Sequence, residues 1–237
     1  MDELRLVLVT DRNQTRGRDL VDVVAACAAV GLPSVQVREK DLGARDLAEL
    51  CRRILAAIRP RRCLLTVNDR VDVALAVGAG AVQRTGVSLA VRDMKAIVKS
   101  DMLIGCSVHS LEEAIEAEAS GADWVTFGPI YDTPSKRAYG APQGLVALEG
   151  VARAVRIPVV AIGGITPERV SEVRAAGAQG VAAISAILAA EDPPGAVRLF
   201  LEALALPGES LTSTSREFSP SSAGQASTGG GGTRSRP

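Results

Sequence analysis

The sequence of 237 residues has no excess of charge of either sign and no long apolar run. Its 27 Lys and Arg residues balance its 27 Asp and Glu residues. The balance argues against nucleic acids and anionic membranes as partners, because both select a strong positive field. No apolar run is long enough to cross a bilayer, and the first residues, MDELRLVLVTD, lack the apolar centre of a signal peptide. We therefore expect a soluble, cytoplasmic protein.

Cysteine is scarce and scattered. The four cysteines, Cys27, Cys51, Cys63 and Cys106, have neither CxxC spacing nor the Cys/His spacing of zinc ligands. The pattern argues against a disulfide framework and against a zinc site. We interpret these residues as small apolar side chains of the core.

The end of the chain has few apolar residues. From residue 207 it reads PGESLTSTSREFSPSSAGQASTGGGGTRSRP, which is dense in Ser, Gly, Thr and Pro. Ordering such a segment would cost more conformational entropy than its burial could recover. The sequence therefore predicts one folded domain over residues 1–206 and a disordered tail over residues 207–237.

Eight short apolar runs alternate with amphipathic stretches of helical period before the tail. Most runs are apolar on both faces, as in a parallel sheet covered by helices. Eight such units in about 200 residues predict an α/β fold, a single closed (β/α)8 TIM barrel. An open doubly wound sheet is the alternative, but no GxGxxG motif follows the first run. The eight candidate strands are RLVLVT, SVQVR, CLLTV, GAVQ, MLIGCS, DWVTFG, PVVAIG and GVAAIS.

Polar or glycine residues follow every candidate strand. Because barrel enzymes build their sites in the loops at the carboxyl ends of the strands, we expect these residues to converge on one mouth. The candidates are Thr10, Asp11, Gln36, Arg38, Lys40, Asn68, Asp69, Gln83, Ser107, His109, Thr126, Gly128, Thr133, Lys136, Gly163, Gly164 and Ser185.

The last two units indicate a phosphate site. In VVAIGGITPERV, Gly163 and Gly164 allow close approach of a ligand to the backbone, and Thr166 before a proline is a helix N-cap pattern. In GVAAISAI, Ile184 and Ser185 lie at a similar junction. Loops after the seventh and eighth strands often bind phosphate in barrels, although the glycines could also serve a tight turn alone.

His109, the only histidine, lies on a predicted strand-to-helix turn in the segment SVHSLEEA. Ser110 followed by Glu113 has the spacing of a capping box, which predicts a helix start just after the histidine. An imidazole is well suited to proton transfer at neutral pH, so His109 is a candidate acid/base residue. The alternative is a solvated loop residue.

The motifs VTD, VQVREK, VNDRVDVAL, GCSVHS, GADWVTFGPIYDTPSK, VVAIGGI and GVAAISAI resemble those of the thiamine phosphate synthase and thiazole tautomerase superfamily. The resemblance spans residues 5 to 190. It implies a TIM barrel of thiamine biosynthesis whose partner is a small phosphorylated thiazole; a homo-oligomer is left open. The synthase couples hydroxymethylpyrimidine diphosphate to the thiazole phosphate with release of pyrophosphate. The tautomerase aromatises a thiazole carboxylate phosphate by moving a proton.

Part of the synthase site is present in this sequence. By the resemblance, Arg38, Lys40 and Asn68 would hold the diphosphate, and Asp69 would be a metal ligand for Mg²⁺ in a synthase. In a tautomerase, Arg38 and Lys40 would instead bind the thiazole carboxylate. The full set of substrate-binding candidates is Arg38, Lys40, Asn68, Gln83, Ser107, Thr133 and Lys136.

The second metal-binding segment departs from the synthase pattern. The family's GVHLGQxD segment is replaced by VQRTGVSLAV, with Gln83 in place of the His and Ser88 in place of the Asp. A neutral hydroxyl replaces a carboxylate poorly at a magnesium site. Tautomerases read VQ at this segment, and the His of their SVHS motif, which matches His109, is the acid/base residue. The resemblance therefore favours a cofactor-independent thiazole tautomerase, with a Mg²⁺-dependent synthase as first alternative and a non-catalytic phosphate-binding barrel as second.

Overall fold

The protein is described from a computed structural model that covers residues 2–98, 101–132 and 141–205. The predicted tail over 207–237 and two substrate-binding candidates, Thr133 and Lys136, lie outside these residues.

Eight parallel strands close into one barrel, which confirms the predicted TIM-like fold. Each strand pairs with the next along the chain, and the first strand also pairs with the last. The strands are β1 (Leu6–Val9), β2 (Ser34–Val37), β3 (Leu64–Asn68), β4 (Ala81–Arg84), β5 (Leu103–Val108), β6 (Trp124–Phe127), β7 (Val159–Ile162) and β8 (Gly180–Ala183).

Helices surround the strands and connect each strand to the next. Among the described residues none of them is long and apolar enough to cross a membrane. The α-helices are α1 (Leu20–Ala29), α2 (Ala44–Ile58), α3 (Val71–Val77), α4 (Val91–Ile97), α5 (Leu111–Ala119), α6 (Gly144–Ala154), α7 (Val170–Ala175), α8 (Ser185–Leu188) and α9 (Pro193–Ala205).

Side-chain caps define where two of these helices begin. Asp19 precedes α1, and its carboxylate accepts hydrogen bonds from the backbone N–H groups of Val21 and Asp22. These bonds, above all that from Asp22, lower the pKa of Asp19. Ser110 caps α5 by accepting from the N–H of Glu113 at 3.2 Å, as the sequence predicts. The α5 cap matters for the site because it sets the position of the preceding His109.

The barrel interior has one polar side and one apolar side. Strand residues alternate between the helix-facing side and the interior. On β2 to β6 the interior positions carry mainly polar side chains near the carboxyl ends, while β1, β7 and β8 contribute apolar ones. The polar interior residues are Ser34, Gln36, Thr66, Asn68, Gln83, Ser107 and Thr126. This asymmetry places the hydrogen-bonding groups of the mouth together on one half of the barrel.

The cysteines belong to the core, as the sequence predicts. Cys27, Cys51 and Cys106 are free and fully buried, and Cys63 is free and half-buried. Burial raises the pKa of the Cys51 and Cys106 thiols to about 11. Such thiols are inert at neutral pH, so the cysteines have a packing role.

Candidate active site

The carboxyl ends of the eight strands meet at one end of the barrel, and the described site candidates lie there. Asn68 on β3 is the register partner of Gln83 on β4, and Ser107 on β5 is the partner of Thr126 on β6. The structure therefore brings the polar candidates of four consecutive strands side by side.

Hydrogen bonds between amides and hydroxyls organise this polar half. The Gln36 side-chain N–H donates to Asn68 Oδ1 at 2.9 Å. Gln83 Nε2 donates to Ser107 Oγ at 3.1 Å and to Thr126 Oγ1 at 3.2 Å. These bonds orient Asn68 so that its own N–H groups stay available to an anionic ligand.

Gln83 carries an unpaired acceptor. The residue is 1% exposed, and its Oε1 has no hydrogen-bond partner in the described part of the chain. A Cβ at Gly105 would lie 2.4 Å from that oxygen and 2.1 Å from the Trp124 ring, so only glycine leaves room for both. An unpaired buried acceptor is costly, and this one is enclosed between Gly105 and Trp124 while the amide nitrogen of the same side chain bonds to Ser107 and Thr126.

Asp69 has a left-handed backbone conformation and a partly satisfied carboxylate. Its φ is +67°, and its N–H donates to the Gln83 carbonyl at 2.9 Å. Oδ1 accepts from Ser88 Oγ at 2.5 Å and from Thr85 Oγ1 at 3.4 Å. Ser88 thus lies beside Asp69, where the resemblance implies a second magnesium ligand.

This donor set fits a magnesium ion only when a phosphate ligand accompanies it. No group of three or more acidic, His or Cys side chains within residues 2–98, 101–132 and 141–205 could hold a metal. Magnesium is commonly held by one or two carboxylates together with phosphate oxygens and water. Asp69 offers one carboxylate, so the remaining anionic ligands would have to come from a bound diphosphate.

Two cationic candidates follow β2. Arg38 is half-buried and Lys40 is exposed, and neither forms an ion pair with another described residue. Glu39, which lies between them, was not predicted to have a role. Its carboxylate is buried and accepts from the Thr10 hydroxyl at 2.6 Å and from the Arg12 guanidinium at 3.1 Å. The position of a carboxylate between two cations in VQVREK is the one signal in the sequence that points to it.

The glycine pair after β7 forms a tight turn packed on the preceding loop. Gly163 and Gly164 have φ values of +105° and +67°. A Cβ on Gly163 would lie 2.6 Å from Pro129, so close packing also requires glycine there. The Gly163 carbonyl accepts from the N–H of Tyr131 at 3.0 Å. The predicted turn is therefore present, and the phosphate role stays a prediction.

The helix predicted after the glycine pair begins later than expected. Thr166 precedes a 3₁₀ turn over Pro167–Arg169 and makes no side-chain cap, and α7 starts only at Val170. Proline fits the first position of either helix type, so the sequence pattern did not distinguish them. After the neighbouring β8, Ile184 and Ser185 begin the short α8.

A cation–π contact not anticipated from the sequence supports this turn. The Arg169 guanidinium carbon lies 4.3 Å from the centroid of the Tyr131 ring, and Nη1 donates to the Gly164 carbonyl at 2.6 Å. The Tyr131 hydroxyl donates to Glu172 at 2.5 Å. Burial, followed by the bond to Glu172, raises the pKa of Tyr131. These contacts join the loop after β6 to the glycine turn.

His109 is exposed at the mouth and held by one ring nitrogen. Nδ1 lies 2.6 Å from the Gly128 carbonyl oxygen, which can only accept, so Nδ1 carries the proton. The backbone N–H of His109 donates to Glu113 at 2.6 Å. The ring is therefore oriented, and Nε2 is left as an acceptor, which is an arrangement that proton transfer requires.

Comparison with known proteins identifies the family. The family model described as thiamine monophosphate synthase matches residues 6–187. The thiamine-phosphate synthase of Methanoculleus marisnigri is 42% identical over 200 residues, which cover 84% of this chain and 95% of that protein. The thiamine-phosphate synthase of Roseiflexus castenholzii is 39% identical over 198 residues, with coverages of 84% and 87%.

A solved structure agrees with these relatives. Thiamine phosphate pyrophosphorylase from Pyrococcus furiosus superposes with a TM-score of 0.79 at 35% identity, and the match covers 86% of this chain and 96% of that chain. The predicted superfamily is confirmed, whereas the preference for its tautomerase branch finds no support among these names. The chain belongs to the thiamine monophosphate synthase family.

Proposed function

We propose that this protein is a thiamine-phosphate synthase, a transferase that couples hydroxymethylpyrimidine diphosphate to thiazole phosphate and releases pyrophosphate. The observation that carries the proposal is the position of two cations, Arg38 and Lys40, at the strand end next to Asn68 and Asp69, where neither has an ion pair with another described residue. A diphosphate needs this excess of positive charge. The family membership and the names of the similar proteins support the same assignment.

The proposed reaction depends on stabilising the leaving pyrophosphate. Negative charge grows on the diphosphate as its bond to the pyrimidine methylene carbon breaks. Arg38, Lys40 and the free N–H of Asn68 would donate to its oxygens, and groups fixed before the reaction stabilise such charge most effectively. A bound magnesium ion would neutralise further charge on the leaving group, with Asp69 as its protein ligand.

The thiazole phosphate would bind at another part of the mouth, at the strand ends of β7 and β8. The glycine turn at Gly163 and Gly164 and the start of α8 at Ile184 and Ser185 follow neighbouring strands. Backbone N–H groups at such turns bind phosphate.

The pyrimidine would lie over the polar half of the barrel. The half-buried Ser107, to which Gln83 donates, would offer its hydroxyl to a polar group on the ring. Thr133 and Lys136, which lie outside the described residues, stay predicted substrate ligands by resemblance.

Thiazole tautomerase is the second candidate function. The observation in its favour is His109, whose Nδ1 bond to the Gly128 carbonyl leaves Nε2 as a free acceptor. Nε2 would take the ring proton and return it to the exocyclic carbon, without a cofactor.

One assay distinguishes the candidates. The protein is incubated with hydroxymethylpyrimidine diphosphate, magnesium and aromatic thiazole phosphate, and separately with the non-aromatic thiazole carboxylate phosphate. We expect thiamine phosphate and pyrophosphate in the first mixture, loss of the activity in chelator, and its return with magnesium. Aromatisation in the second mixture without coupling in the first would instead identify a tautomerase. Binding without turnover in either mixture would identify a non-catalytic barrel.

A further inference from the structure

Glu39 is a buried carboxylate whose two oxygens are both bonded. The residue is 5% exposed. Oε1 accepts from the Thr10 hydroxyl at 2.6 Å, and both oxygens lie 3.2 Å from the backbone nitrogen of Arg12. Oε2 also accepts from the Arg12 guanidinium at 3.1 Å. A buried charge is tolerated only when it is paired and hydrogen-bonded in this way. We call Thr10, Arg12 and Glu39 the Glu39 network.

The network fixes the backbone of the residues that follow β2. Thr10 Oγ1 accepts from the N–H of Arg38 at 2.9 Å while its own proton goes to Glu39. The N–H of Thr10 donates to the Gln36 carbonyl at 2.9 Å. The end of β1 therefore holds this segment at three points, at Gln36, Arg38 and Glu39.

The direction of the Glu39 side chain also sets that of Arg38. Gln36 lies on the interior side of β2, and side chains alternate along extended backbone. Glu39 bonds to Thr10, which lies on the helix-facing side of β1 with Leu8. If the alternation of β2 continues past Val37, Arg38 lies on the same side as Gln36, toward the mouth.

The network also removes a competing cation. Arg12 donates to Glu39 and, through both terminal nitrogens, to Asp41. The bonds to Asp41 and Glu39 raise the pKa of Arg12. The buried ion pair with Glu39 offsets the charge of Arg12, whereas Arg38 and Lys40 have no ion pair with another described residue.

We propose that Glu39 and Thr10 are positioning residues for diphosphate binding, which hold Arg38 and Lys40 toward the ligand without touching it. The inference rests on the proposed synthase function. It predicts that damage to the network weakens binding of the diphosphate and leaves binding of the thiazole phosphate unchanged, because the latter would bind at the turns after β7 and β8.

Matched variants test the hydroxyl and the carboxylate separately. Thr10→Val removes the hydroxyl at nearly constant shape, and Thr10→Ser keeps it. Glu39→Gln removes the charge and places an N–H group against the Arg12 donors. Asp41→Asn is the control, since it removes the exposed carboxylate from the same guanidinium, and exposed pairs contribute little.

Binding of inorganic pyrophosphate is measured by calorimetry with magnesium present, and KM is measured for each substrate. For Thr10→Val and Glu39→Gln we expect the Kd of pyrophosphate and the KM for the pyrimidine diphosphate to rise by about ten- to a hundredfold. KM for the thiazole phosphate should stay within about twofold, as should all values for Thr10→Ser and Asp41→Asn.

Two outcomes would overturn the inference. One is wild-type pyrophosphate binding in both Thr10→Val and Glu39→Gln. The other is an equal rise in both KM values together with a lower melting temperature, which would show a merely structural role. Pyrophosphate binding needs no turnover, so its loss in these variants is measurable even if the wild-type protein makes no thiamine phosphate. A wild-type protein that makes no thiamine phosphate would count against the proposed function and not against this inference.

Discussion

At the scale of single residues, Asp69 combines an uncommon backbone conformation with the chemistry of the site. A non-glycine residue at φ +67° is uncommon, and Asp tolerates this region better than most. Backbone conformations of this kind cluster at functional sites. Here the conformation lets one residue bond to the β4 backbone through its N–H while its carboxylate contacts Ser88. The metal chemistry available to the mouth therefore depends on the residue at position 88.

Replacing Ser88 by Asp should create a magnesium site that needs no diphosphate. The new carboxylate would lie against Asp69, where two negative charges repel without a cation and bind Mg²⁺ together. We expect the melting temperature of Ser88→Asp to rise with magnesium, since a ligand at about a hundred times its Kd stabilises by about 2.7 kcal/mol. Thermal melts in a magnesium series test this, with Ser88→Ala as control. A Ser88→Asp protein that melts at one temperature in chelator and in magnesium would contradict it.

Residue roles were predictable where one motif contains the whole interaction, and not where partners are distant in sequence. The predicted cap of Ser110 on the N–H of Glu113 lies within four residues and is present, although the Glu113 carboxylate accepts from the N–H of His109 rather than that of Ser110. Glu39 was missed because its partner Thr10 is 29 residues away, and periodicity assigns a charged residue to solvent. The hydrogen bonds of the Gln83 amide likewise depend on three different strands, because its nitrogen donates from β4 to Ser107 on β5 and to Thr126 on β6.

At the scale of elements, the eight strands were predictable because a parallel strand covered on both sides is an unbroken apolar run. The geometry of the loops was less predictable. The pattern at Thr166 indicated a helix start but not the 3₁₀ turn that precedes α7. The glycine pair indicated a tight turn. The requirement for glycine at position 163 comes from Pro129, which belongs to a different loop and packs against it.

Gly163→Ala should disrupt the turn after β7 and the phosphate site proposed there. The substitution adds a Cβ 2.6 Å from Pro129 and forces a side chain into a backbone with φ +105°. We expect KM for thiazole phosphate to rise by about a hundredfold, while KM for the pyrimidine diphosphate changes little.

Gly78→Ala is the matched control for this prediction. Gly78 also has a positive φ, +69°, but its Cβ would meet no atom within 4 Å, and it ends α3. Its replacement should destabilise by about 1 kcal/mol through backbone strain and leave both KM values unchanged. Similar KM values for Gly163→Ala and the wild type would exclude a phosphate site at the glycine turn.

At the scale of the whole molecule, the barrel closes where the first strand pairs with the last. The count of eight units predicted closure, but no local pattern states that β1 and β8 pair. The pairing brings Gly180 against the backbone before β1, where a Cβ would lie 1.9 Å from the Leu4 carbonyl oxygen. The N–H of Val181 then donates to the Arg5 carbonyl at 3.0 Å. Glycine at the start of β8 is therefore a condition for the ring of strands to close.

Gly180→Ala should accordingly weaken the whole barrel. The obstructing atom is backbone, which cannot rotate away, so the seam between β1 and β8 must widen. Overpacking of this kind destabilises by about 1–3 kcal/mol, and for a domain of this size each kcal/mol lowers Tm by about 2–4 °C.

Gly150→Ala supplies the opposite case, because Gly150 lies on the exposed side of α6 with open space around its Cβ position. That variant should gain about 0.5–1 kcal/mol, since alanine favours helix more than glycine does. Denaturant unfolding and thermal melts measure the change in the free energy of unfolding and in Tm for both variants. Equal stability of Gly180→Ala and the wild type would mean that the barrel closes without the close packing of Gly180 on Leu4.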